Sequence, residues 1–131
     1  MKPLGFASEY IYSLSRAVTG ALLAQHGAQK LFGALGADRS VELFSQLGLA
    51  GVIELGAGTL VMLGLYAPWA AFLASGLMAS AYFTAHNPRG FWPIMNGGEL
   101  AALYCFVFLF FATRGSGPLS LDRVIRGRAY T

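Results

Sequence analysis

Between Tyr10 and Thr113 the chain offers four long apolar stretches, at about residues 10–32, 47–66, 68–85 and 94–113, parted only by short polar punctuation. Crossing a hydrocarbon core of about 30 Å takes roughly 20 mostly apolar residues, and a 131-residue chain has room for at most four such crossings. The composition agrees, because 11% charged residues against 56% hydrophobic ones cannot clothe a globule of this size in water, where about a quarter charged is usual. Disorder, collagen, coiled coil and a disulfide scaffold are excluded with it: the 17 glycines follow no triplet and Cys105 is alone. The expected fold is an all-α integral membrane four-helix bundle forming one domain over residues 1–131.

The punctuation supports those boundaries. Ala67-Pro68 makes a tight turn with proline at a helix start, while Asn87-Pro88-Arg89-Gly90 and Gly115-Ser116-Gly117-Pro118 break helices. Residues 34–46, with Asp38, Arg39, Glu42 and Gln46 among Val41, Leu43 and Phe44, predict a short amphipathic helix lying at the interface between spans one and two. The N-terminal stretch carries Glu9 and Arg16 and lacks a clean cleavage site, so it reads as a retained first span. Lys2, Arg114, Arg123, Arg126 and Arg128 fall on one side and Lys30, Arg39 and Arg89 on the other, which orients both termini to the cytoplasm. The partner of these arginines is then the anionic lipid surface, and the dispersed cations do not form a nucleic-acid face. Tyr66, Trp69 and Trp92 lie at span ends as interfacial anchors.

Ionisable groups within spans cost about 2.5 to 3.5 kcal/mol each on insertion scales, so they face a bundle interior. Arg16 and Glu54 sit in the first two spans; His86 and Glu99 sit near the outer ends of the last two. Counting 1.5 Å per residue from His26 and from Leu47 places Arg16 about 15 Å and Glu54 about 10 Å below the outer ends, a separation the arginine side chain can bridge. On a helical wheel Arg16, Thr19, Leu23, His26, Gly27 and Lys30 share one sector, and Ala50, Gly51, Glu54 and Gly58 another. Ser75, Ala79, Tyr82 and His86 share a face of span three, and Glu99, Phe106 and Phe110 one of span four. Convergence of these faces predicts an outer polar pocket of Arg16, Glu54, Glu99, His26 and His86 with Tyr82 beside it. An Arg16–Glu54 pair that only locks helix register explains the same residues.

Cofactor chemistry is constrained from the same residues. Dithiol electron transfer needs two thiols, so Cys105 alone excludes it, and Tyr104, Phe106 and Phe108 make its setting apolar. His26 and His86 could in geometry ligate a haem, but interfacial histidines account for them equally, and haem is disfavoured. No ligand spacing marks a metal site. The aromatic run Tyr104, Phe106, Phe108, Phe110 and Phe111 serves either to flank a flat ring such as a quinone head or simply to pack against helices and lipid.

The order of motifs carries a resemblance. Arg16-x-x-x-Gly20, then His26-Gly27-x-Gln29-Lys30-Leu31-Phe32-Gly33, Glu54-Leu55, His86-Asn87-Pro88, Asn96-Gly97-Gly98-Glu99 and Gly115-x-Gly117-x-x-Ser120-Leu121-Asp122 together resemble the bacterial DoxX family from about Ser15 to Arg123. The family is named for the small subunit of a thiosulfate:quinone oxidoreductase. The resemblance implies a four-helix inner-membrane protein with quinone or electron-transfer partners. Arg16, His26, Lys30, Glu54, Asn96 and Glu99 match the family's polar pattern, and no catalytic residue is assigned. Two functions follow as expectations: a membrane subunit that binds a quinone or other lipid-soluble ligand and takes electrons from a partner oxidoreductase, or a noncatalytic assembly and anchoring protein whose polar network is structural. A small transporter is a third, and it would need a homo-oligomer to supply a second bundle.

Overall fold

The computed structural model describes residues 1–127, so Arg128 lies outside the described residues. Among the described residues all regular structure is helical: α1 (Ser8–Phe32), α2 (Gln46–Leu63), α3 (Ala67–Ala81), a π-turn (Tyr82–His86), a short α4 (Pro93–Asn96), α5 (Glu99–Arg114) and α6 (Leu121–Arg126). The boundaries have local causes. Ser45 caps α2 by accepting the Gly48 N–H at 3.0 Å. Gly33 and Gly64, with φ of 63° and 71°, end α1 and α2 in the left-handed region that glycine adopts without penalty. Pro68 opens α3, where a missing N–H costs nothing.

The four long helices form an antiparallel bundle, α1 packing on α2, α2 on α3 and α3 on α5. Tyr12 of α1 closes the ring by meeting Phe111 of α5 edge-on at 5.7 Å and donating its hydroxyl to the Gly115 carbonyl at 2.6 Å. The α1/α2 seam is the tightest. A Cβ on Gly20 would lie 2.7 Å from the Gly58 carbonyl oxygen, and one on Gly27 would lie 2.6 Å from that of Gly51. Backbones meet directly there, as small residues on facing helices permit. The core holds Leu23, Val61, Ala71, Ala74 and Phe108, each at most 1% exposed.

Three expectations change. Residues 33–45 contain no helix: Leu35 and Gly36 also have positive φ, and the Val41 N–H folds back onto the Lys30 carbonyl at 2.7 Å, so the segment is an irregular loop that still exposes Leu43 and Phe44. The third and fourth stretches are not plain helices, since α3 winds into the π-turn and α5 is preceded by the break at Gly97-Gly98. Among the described residues one helix, Gln46–Leu63, is long and apolar enough by itself to cross a membrane. Finally, Phe106 and Phe110 point outward, at 71% and 51% exposure, leaving Tyr104, Phe108 and Phe111 as the buried face of α5.

Candidate functional site

The predicted polar residues separate into two clusters at opposite ends of the bundle. The reason is register. Because α1 runs to Phe32 and Gly27 packs against Gly51 and Leu55, Glu54 lies level with the last turns of α1. Arg16 is about 11 residues, or roughly 16 Å, further along that helix. The expected Arg16–Glu54 pair is therefore replaced by two other arrangements. Counting both depths from His26 and Leu47 assumed that these residues were level, and the α1 extension removes that assumption.

Arg16 is 1% exposed and works on backbone carbonyls. Its guanidinium donates to the carbonyls of Val61, of Met62 at 3.1 Å and of Leu119 at 2.5 Å. Val61 and Met62 lie in the last turn of α2, where carbonyls lack intrahelical partners, so Arg16 caps that helix and ties it to the segment leading into α6. Asp122, 2% exposed, finishes the junction: its carboxylate accepts the Tyr66 N–H at 3.1 Å and the Ser116 hydroxyl at 2.5 Å. The Gly115 to Asp122 motif is thus an architectural clasp. Sequence reasoning treated Arg16 as part of a pocket and missed Asp122 as its neighbour in the clasp; the signal was an acidic residue in an otherwise basic tail.

At the other end, Lys30 donates to Glu54 Oε1 at 2.6 Å. The glutamate side chain is only 6% exposed, against 30% for the lysine. Its second oxygen, Oε2, is buried without a hydrogen-bond partner among the described residues. A buried acceptor left unpaired costs about 1 to 3 kcal/mol or more, so its retention calls for an explanation. Two cavities flank the pair and share Lys30, Glu54, Ala81 and His86 as walls. One, of about 210 Å³, is bounded by His26, Tyr104 and Leu100; the other, of about 410 Å³, lies between α2 and α3. His26 and Tyr104 meet edge-on at 6.4 Å.

The π-turn sets the remaining geometry. His86 at its end places Nδ1 3.3 Å from the Asn96 carbonyl oxygen. A carbonyl only accepts, so Nδ1 is the donor in this contact. Asn96, 1% exposed, donates to Tyr82 Oη at 3.2 Å and to the Gly90 carbonyl at 3.0 Å, and accepts the Gly98 N–H at 2.8 Å. Asn96 and Tyr82 therefore brace the loop that holds His86. Glu99 is exposed and faces a separate shallow cleft near Leu100 and Leu103. Of the eight predicted residues, Lys30, Glu54, His26 and His86 line the site, Asn96 and Tyr82 support it, and Arg16 and Glu99 lie elsewhere. Tyr104, expected only as part of an aromatic run, joins the wall. Among the described residues no three His, Cys, Asp or Glu side chains converge as for a metal ion.

These features define a small all-helical bundle with a charged pair between two cavities at one end and a structural clasp at the other. The chain belongs to the DoxX family, whose model matches residues 11–87. The match takes in α1, α2, α3 and the π-turn, hence Arg16, His26, Lys30, Glu54, Tyr82 and His86, and stops before Asn96 and Glu99. An uncharacterized protein of Haemophilus influenzae is 48% identical over 77 residues, covering 56% of this chain and 58% of that protein. No solved structure matches.

Proposed function

We propose that this chain is a multi-pass protein of the bacterial inner membrane that holds a small lipid-soluble ligand, a quinone in the first instance, beside the Lys30–Glu54 pair and works with a partner oxidoreductase. The observation that carries the ligand site is Glu54, whose side chain lines two cavities and whose Oε2 is buried without a partner. Lys30 has two further N–H groups for a carbonyl oxygen, and His26 and Tyr104 offer ring edges to a flat head. When bound, a quinone would supply reversible two-electron chemistry that no side chain here supplies.

Membrane residence is supported by the family and by the outer surface. Phe72, Phe83 and Phe106 are each more than 60% exposed, part of an apolar coat that soluble monomers rarely carry. Helical winding continues from Ala67 through His86, long enough for a third crossing. Lys2, Arg114, Arg123 and Arg126 gather at the clasp end, which orients both termini to the cytoplasm.

The test is the isoprenoid quinone content of protein purified in mild detergent, read by solvent extraction and mass spectrometry, wild type beside Glu54→Gln. Near-stoichiometric quinone in the wild type, lost from a still-folded variant, is expected. Quinone no higher than the membrane background in both would overturn the ligand site and favour an assembly role, in which the exposed Val124, Ile125 and Arg123 of α6 meet a partner.

A further inference from the structure

The Lys30–Glu54 site holds a hydrogen-bond acceptor that no donor among the described residues meets. Lys30 occupies one carboxylate oxygen and leaves Oε2 of Glu54 unmet. A head that carries only carbonyl oxygens can accept from Lys30 but leaves Oε2 unmet, whereas a ring bearing a hydroxyl group can donate to it.

The shape of the larger cavity adds a second constraint. A short turn at Gly64, Leu65 and Tyr66 joins α2 to α3, and near it the helices are closed by Ala57, Val61, Ala67, Ala71 and Ala74, all under 5% exposed. Away from the turn they part into the crevice of about 410 Å³, between Ala50 and Ile53 on one side and Leu77, Ser80 and Thr84 on the other. Leu47 and Leu49, at 57% and 61% exposure, stand at its edge. Alanines close one end of the helix pair because they let the backbones approach, and the bulkier, more separated residues leave the other end open sideways.

We infer that the ligand is a single-tailed lipid with a hydroxyl-bearing ring, of the hydroquinone class, whose head donates to Glu54 Oε2 and whose apolar tail leaves through the α2/α3 crevice into the bilayer. The inference rests on the ligand site proposed above and goes further in choosing the reduced head over the oxidised one and in giving the tail a path. A hydrogen bond to a charged acceptor distinguishes the two heads by about tenfold in Kd or more.

The test is anaerobic titration of the detergent-solubilised full chain with decyl-ubiquinol, decyl-ubiquinone and the tailless dimethoxy-methyl-hydroquinone, followed by calorimetry. Expected are decyl-ubiquinol binding at least about tenfold tighter than decyl-ubiquinone, and collapse of that ratio in Glu54→Gln. Ser80→Trp, which fills the crevice from an exposed position, should weaken the decyl hydroquinone while sparing the tailless one. Equal affinity of wild type for the decyl quinone and hydroquinone would overturn the head assignment, and an unaffected decyl hydroquinone in Ser80→Trp the tail path. Both results leave the ligand site standing. Absence of binding by all three compounds would instead remove the site on which the inference rests.

Discussion

Replacing Arg16 by methionine isolates the work of the clasp. Methionine fills much of the same channel but donates no hydrogen bond. The Val61 carbonyl also accepts the Gly64 N–H at 3.2 Å and stays partly satisfied. The part-buried carbonyls of Met62 and Leu119 lose the arginine donor, and an acceptor left unpaired costs up to about 1 to 3 kcal/mol. Removing the cation also recovers part of its burial cost, so the expected net loss is about 3 kcal/mol. Arg16→Lys should lose about half as much, because one ammonium lacks the planar fork that reaches both α2 and Leu119. The assay is reversible unfolding in mixed micelles followed by tryptophan fluorescence. Trp69, in the first turn of α3, reports the clasp end, and Trp92 reports the opposite end. Tryptic cleavage at Arg123 and Arg126 gives an independent readout, since an α6 released from the bundle loses the helical backbone that resists the protease at both. A loss below about 1 kcal/mol in Arg16→Met, with α6 still protected, would falsify the claim that carbonyl capping holds this junction.

Two further outcomes test the packing. A double-mutant cycle on Arg16 and Glu54 should give a coupling energy within about 0.5 kcal/mol of zero, as expected for sites well apart, whereas Lys30 with Glu54 should couple measurably; the reverse order would restore the pairing that helix counting predicts. Gly58→Ala puts a Cβ 2.6 Å from the Ala24 nitrogen and should destabilise by about 1 to 3 kcal/mol. Gly56→Ala and Gly76→Ala, which meet nothing within 4 Å, should be neutral or stabilise by up to about 1 kcal/mol in the same unfolding assay.

Much of the architecture follows from local physics that a sequence carries openly. Apolar runs without β-branched alternation make helices, and glycine at positions 33 and 64 and proline at 68 end or start them because of φ alone. The inward stripe of α1 was equally legible, since Arg16, Gly20, Leu23 and Gly27 recur at helical spacing and all four are buried. The interruption of residues 33–45 was not, because a polar and apolar alternation of that length fits an amphipathic helix as well as a loop with three positive φ angles.

By itself the sequence determined which side chains had to be shielded from an apolar surround: an arginine, a glutamate and two histidines cannot stand in such stretches unpartnered. Which of them met was decided only by tertiary structure. Side chains a few turns apart exchange partners when one helix slides against another, and here the slide is set by backbone contact at Gly20, Gly27, Gly51 and Gly58, where any Cβ would clash or crowd its neighbour. That contact gives Glu54 to Lys30, sends Arg16 to the carbonyls at the far end of α2, and leaves one carboxylate oxygen buried without a partner.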